Sequence, residues 1–172
     1  MKHTISVLVE NKAGVLSRIS GLFARRGFNI DSLAVGTTED KAISRITLVV
    51  QGDDYIAEQV TKQLNKQIDV IKVVKLDNED ITRRELALIK VKVSEAERSR
   101  IIDIAKVMDA TVVDISHTTL TVELADRPDK VDLIIELLQH YNIQEVARTG
   151  TVALQKGASA QFIEARLHNF LP

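Results

Sequence analysis

The chain has 172 residues, 45 % of them hydrophobic, enough for one ordinary domain or two small ones and too apolar for a disordered chain. Only 3 % of residues are aromatic and none is Trp, so the core must be aliphatic. A net charge of −1 is the wrong balance for a protein that holds phosphate backbones mainly by charge, and the absence of cysteine removes disulfides, thiolate catalysis and thiolate metal sites.

In chain order, TISVLVE (4–10) places Ile5, Val7 and Val9 on one face of a strand by period-two alternation. From Gly14 the period changes. Val15, Leu16, Ile19, Leu22 and Phe23 form one helical stripe, with Arg18, Arg25 and Arg26 outside it, and Gly27 stops the helix. NIDSLAV (29–35) and AISRITLVVQ (42–51) read as strands joined by the turn-rich GTTEDK. Ile56, Val60 and Leu64 mark a second helix and DVIKVVKL (69–76) a fourth strand.

DNEDIT (77–82) is a polar, strand-free break near the middle, after which the same order repeats. ELALIKVKV (85–93) is a strand, Ile101, Ile102, Ala105 and Met108 share a helix, and TVVDISH (111–117) with TLTVEL (119–124) makes a hairpin. Val131, Ile134, Ile135 and Leu138 share a last helix, opened by Asp126 to Asp129 around Pro128, and IQEVARTGTVAL (143–154) closes the set as one strand. The fold class expected is therefore α+β, two tandem ferredoxin-like βαββαβ domains over 4–78 and 82–156, each near the lower size limit for independent folding. Residues 157–172 form a tail, with Phe162, Ile163, Leu167 and Phe170 as a candidate docking helix. One face of each sheet carries the helices. On the other face of the first sheet, Leu8, Val49 and Val74 argue for dimerisation or domain pairing.

Catalytic residues are not evident. His3, His117, His140 and His168 are scattered, no metal-ligand spacing appears, and no nucleophile elbow or phosphate loop is present. The candidate central strands, 4–10 and 42–51, contain no aromatic on which a base could stack, so nucleic acid is not an expected partner. No apolar run approaches the ~20 residues of a membrane helix, and no basic, apolar leader precedes the first strand. A cytoplasmic protein is expected, with a plastid as the alternative setting.

If a ligand site exists, one segment of the first half is the candidate for it. Asn11 and Gly14 sit where a strand delivers the chain to a helix N-terminus, whose free N–H groups and dipole favour a carboxylate. Gly14 lets a ligand approach the backbone, and the Asn11 amide can meet an ammonium or a carboxylate. Asn29 opens the next strand, and Val15, Leu16 and Ile30 suit an aliphatic side chain. Alternatively, Asn11 simply caps Ala13 or Gly14 in a common turn. The equivalent segment of the second half, VSEAERSRIID (93–103), has no Asn-x-x-Gly and no glycine, so the fold itself does not demand that turn.

SVLVENKAGVLSRISGLFARRGFNIDSLAVG, SRITLVV (44–50), RRELALIKV (83–91) and EVARTG (145–150), in that order, resemble the small, regulatory subunit of acetohydroxyacid (acetolactate) synthase over nearly the whole chain. The resemblance implies an N-terminal ACT domain, an ACT-like second domain and no catalysis of its own. It further implies a homodimer formed through ACT domains, with valine or another branched-chain amino acid between them. Asn11, Ala13, Gly14, Val15, Leu16, Asn29 and Ile30 match the effector motif. It implies a catalytic-subunit partner that carries thiamine diphosphate, magnesium and FAD, with no cofactor or metal on this chain. VMDA (107–110) and the tail beyond Lys156 depart from the family pattern. Two rival readings are a freestanding tandem ACT sensor acting on another protein and a small ferredoxin-like enzyme.

Overall fold

The structure is a computed structural model that describes residues 1–77 and 79–157. The helix expected at Phe162 to Phe170 lies outside the described residues. The first unit runs β1 (Lys2–Glu10), α1 (Val15–Arg26), β2 (Ile30–Thr37), β3 (Ile43–Gln51), α2 (Asp54–Leu64) and β4 (Val70–Leu76). Its four strands form an antiparallel sheet in the order β2-β3-β1-β4. The second runs β5 (Ile81–Lys92), α3 (Glu95–Val107), β6 (Thr111–Ile115), β7 (Thr119–Asp126), α4 (Pro128–Leu138) and β8 (Asn142–Arg148), in the order β6-β7-β5-β8. The strand orders are the same, as a repeated βαββαβ unit requires.

Each unit has its own aliphatic core. Ile5, Val7 and Val9 of β1 meet Ile46, Leu48 and Val50 of β3 under the α1 stripe Val15, Ile19, Leu22 and Phe23. In the second core Ala87, Ile89 and Val91 lie beneath Ile101, Ala105, Val131, Ile134 and Leu138. Strand alternation at period two and helix stripes at 3.6 converge on the same residues, which is why both cores are legible from pattern alone.

Two expectations need correction. The closing strand is not continuous: it breaks after Arg148 and resumes as β9 (Val152–Gln155), with Gly150 between them at φ +78. A left-handed residue cannot continue a strand, and glycine adopts it without penalty. The polar break is also shorter than it reads, since Ile81 already opens β5 and is 6 % exposed. Contacts divide the chain into Arg83–Gly150 and a unit made of Met1–Thr82 with the stretch beginning at Thr151. Thus β9, which pairs with β5, belongs with the first unit, where Ala153 packs with Leu76 and Ile81, and Val74 lies against them.

That return strand bears on the sheet face opposite α1. Thr4, Ser6, Leu8 and Thr47 are at most 3 % exposed there, and Val49 only 8 %. The face expected to seek a partner is already buried in the single chain. A dimer therefore has to be argued from another surface.

Candidate effector site

The link from β1 to α1 is held by backbone and amide bonds to a distant hairpin. The Asn11 N–H donates to the Ala42 carbonyl at 2.7 Å, and its Nδ2 donates to the Lys41 carbonyl at 2.9 Å. Asn11 therefore does not cap α1. Its amide oxygen takes no hydrogen bond from a described residue, which leaves it available as an acceptor on an exposed surface. Gly14 is the N-cap of α1 at φ +84, without a side-chain cap, and its carbonyl accepts the Arg18 N–H at 3.0 Å. No acidic residue stands in the first turn.

The other helices start differently. Asp53 accepts the Ile56 N–H at the start of α2. At α3 the Glu97 carboxylate takes both the N–H and the hydroxyl of Ser94, closing a capping box. Pro128 sits at the start of α4, followed by Asp129. Among the four described helices, α1 alone presents first-turn N–H groups with no cap, proline or acid to answer them.

Neighbouring charges are already answered. Arg18 pairs with Asp69 at 2.7 Å, and Lys12 pairs with Glu10 at 2.7 Å, the hydrogen bond to that carboxylate raising the Lys12 pKa. Ala13 and Gly14 are exposed, Leu16 is 43 % exposed, and Val15 is a core residue at 4 %. So Leu16, not Val15, offers a side chain to a ligand here.

Asn29 and Ile30 lie elsewhere. Glu10 is opposite Ile43 in the β1–β3 ladder, whereas Ile30 is opposite Val50, which itself faces His3. The two groups sit at opposite ends of the sheet and of α1, whose twelve residues span about 18 Å. Asn29 is exposed and Ile30 half-buried against the first core. The seven residues thus fall into two separate groups in one chain.

His3 is buried with Nε2 at 3.2 Å from the Gly52 carbonyl, and no cluster of three potential metal ligands exists among the described residues. No described helix is long and apolar enough to cross a membrane. Two of the recognisable stretches do meet. Arg148 donates from Nε and Nη2 to the Glu85 carboxylate at 2.7 and 2.9 Å, and from Nη1 to Asp132 at 2.8 Å. Glu85 is buried, and its carboxylate, with that of Asp132, raises the Arg148 pKa. Sequence reasoning missed this pair because its members are 63 positions apart. For the same reason it missed Lys41, Ala42 and Asp69 as supports of the turn.

Two βαββαβ units in tandem, one with its first helix left open at the N-terminus, define a tandem ACT-type chain. Residues 5–72 match the model for an AHAS small subunit-like ACT domain, and residues 84–157 the model for the small subunit of acetolactate synthase. A probable acetolactate synthase small subunit of Archaeoglobus fulgidus is 51 % identical over 91 % of this chain and 98 % of its own length. The acetolactate synthase small subunit of Mycolicibacterium smegmatis is 50 % identical over 90 % of this chain and 91 % of its own. The crystal structure of the acetolactate synthase small subunit from Thermotoga maritima superimposes with a TM-score of 0.85 at 38 % identity, over 92 % of this chain and 99 % of that one. The chain belongs to the acetolactate synthase small-subunit family.

Proposed function

We propose that this chain is a non-catalytic regulatory subunit which, docked on the catalytic subunit of acetohydroxyacid synthase, raises its activity and makes it sensitive to valine. The observation that carries the effector reading is the open N-terminus of α1. Its uncapped N–H groups suit a carboxylate, the free Asn11 amide oxygen suits an ammonium, and the exposed Leu16 suits a short aliphatic side chain. In this reading thiamine diphosphate, magnesium and FAD belong to the catalytic subunit, and the assembly works in the cytoplasm.

The separation of the two half-sites supports a homodimer. A single amino acid cannot span ~18 Å of helix. The β2 strand is an edge of the first sheet, with Val35 47 % exposed on it. Pairing two β2 edges antiparallel about a two-fold axis sets the Ile30 end of one chain beside the Thr37 end of the other. Thr37 faces Ser44 in the ladder, close to the Ile43–Glu10 pair that leads into Asn11. The partner's Asn29 and Ile30 thereby approach this chain's Gly14, giving two equivalent sites per dimer.

Valine inhibits only if it binds one docked conformation better than another, and a coupling of ~1–3 kcal/mol gives inhibition of several-fold to about a hundredfold. The test is acetolactate formation by the catalytic subunit with and without this chain, followed by valine. Stimulation that valine reverses is expected. Stimulation without valine sensitivity would keep the partner and remove the effector. No stimulation would leave a tandem ACT sensor with another target.

A further inference from the structure

Ser32 lies on β2 two residues beyond Ile30, where the β2–β3 register shifts between Ile30 and Ser32. Its hydroxyl oxygen accepts the backbone N–H of Thr151 at 2.8 Å, a contact across 119 positions of sequence. Thr151 is 4 % exposed, so its N–H has no ready water to replace a lost acceptor. Ser32 is not among the residues assigned to the ligand, yet its strand begins with Ile30, which is, and follows directly on Asn29.

On the other side of Thr151 stands Gly150, left-handed at φ +78. Before it, Thr149 is fastened to β5 twice: its N–H donates to the Leu86 carbonyl at 3.0 Å, and its Oγ1 accepts the Leu86 N–H at 3.1 Å. Arg148 is fastened by its two bonds to Glu85. A single left-handed glycine therefore lies between two anchored points, with its carbonyl accepting the Thr149 hydroxyl at 2.9 Å. One anchor is the ladder of the second unit. The other is the Ser32 hydroxyl.

We propose that the Ser32–Thr151 hydrogen bond carries effector occupancy from the Asn29 end of β2 to the crossing at Gly150, so that Ser32 is a coupling residue that touches no ligand. The proposal rests on the valine reading above. A ligand held by Asn29 and Ile30 orders the start of β2, and the register shift beside Ser32 gives that strand a place to move. A 2.8 Å bond to a buried N–H has little tolerance for such movement, because the donor is left unanswered once the oxygen withdraws. Gly150 takes up the change, since its backbone meets the least steric resistance.

The test uses the holoenzyme reconstituted with wild-type chain, Ser32→Ala and Ser32→Thr. For Ser32→Ala, stimulation without valine is expected to stay within about twofold. Calorimetric valine affinity of the free chain is expected to stay within about threefold, and residual activity at saturating valine to rise at least about threefold. Ser32→Thr keeps the acceptor and is expected to restore inhibition. Hydrogen exchange supplies a reading that a merely structural role would not give: valine changes the exchange of the Thr151 amide in the wild type, and that response disappears in Ser32→Ala. Full inhibition of Ser32→Ala, no rescue by Ser32→Thr, or a wild-type Thr151 amide indifferent to bound valine would each overturn the coupling while leaving the effector site intact. A wild-type chain that binds no valine would overturn both. Should Ser32→Ala fail to fold, the wild-type exchange measurement decides alone.

Discussion

Gly14 concentrates most of what a single residue does here. At φ +84 it occupies a conformation that costs an L side chain about 1 kcal/mol or more, and its missing Cβ keeps the first turn of α1 approachable. An added Cβ would meet only the end of the Arg18 side chain, at 3.4 Å, so substitution is limited by backbone conformation and not by crowding. Asp is among the side chains that best tolerate this region. In Gly14→Asp the new carboxylate takes the place of a ligand carboxylate and answers the same N–H groups, as an N-cap would. The expected outcome is a chain that still stimulates the catalytic subunit but needs at least about tenfold more valine for half-inhibition. Stimulation lost with valine sensitivity retained would contradict it.

The contrast between α1 and α3 shows at the scale of elements why the halves differ. The same topology sets both helices on their sheets, but α3 closes its own N-terminus with Ser94 and Glu97. The Ser94 hydroxyl and N–H hold the Glu97 carboxyl below its usual 4.5. A carboxylate whose folded pKa is depressed contributes fully above the unfolded pKa, and the contribution is lost as pH falls through the lower folded value. The melting-temperature difference between wild type and Glu97→Ala is therefore expected to be constant near neutrality and to close below about pH 4. A difference independent of pH would show that the box does not depend on the carboxylate charge. Both cores could be read because they are local patterns of three to eight residues, and the SEAE capping box, equally local, was passed over. The Arg148–Glu85 clamp, the Asn11 bonds to the 41–42 turn and the return of β9 to the first unit could not be read, because each joins segments 30 or more positions apart. The break at Gly150 was visible as a glycine, but nothing in EVARTGTVAL says that its φ is positive.

For the whole molecule the decisive question is whether one chain can make an effector site at all. The resemblance groups seven residues in one effector motif, and the reading of the turn takes Asn29 and Ile30 as neighbours of Asn11 and Gly14. The fold sends Asn29 and Ile30 to the opposite end of α1 from Gly14. If the site is completed by a second copy, each site takes its Gly14 half from one chain and its Asn29 half from the other. A dimer of one Gly14→Asp chain with one Asn29→Ala chain then holds one site carrying both defects and one carrying none. With random pairing of equal amounts, about one site in four is intact, although neither variant alone has any. Valine binding measured by calorimetry on the co-refolded mixture is expected to recover to about a quarter of the wild-type stoichiometry at wild-type affinity, with each variant alone silent. A site contained within one chain would give no recovery, because every chain in the mixture carries a defect. Recovery would also fix the geometry of inhibition, since an effector shared between copies can report to the catalytic subunit only through the regulatory dimer.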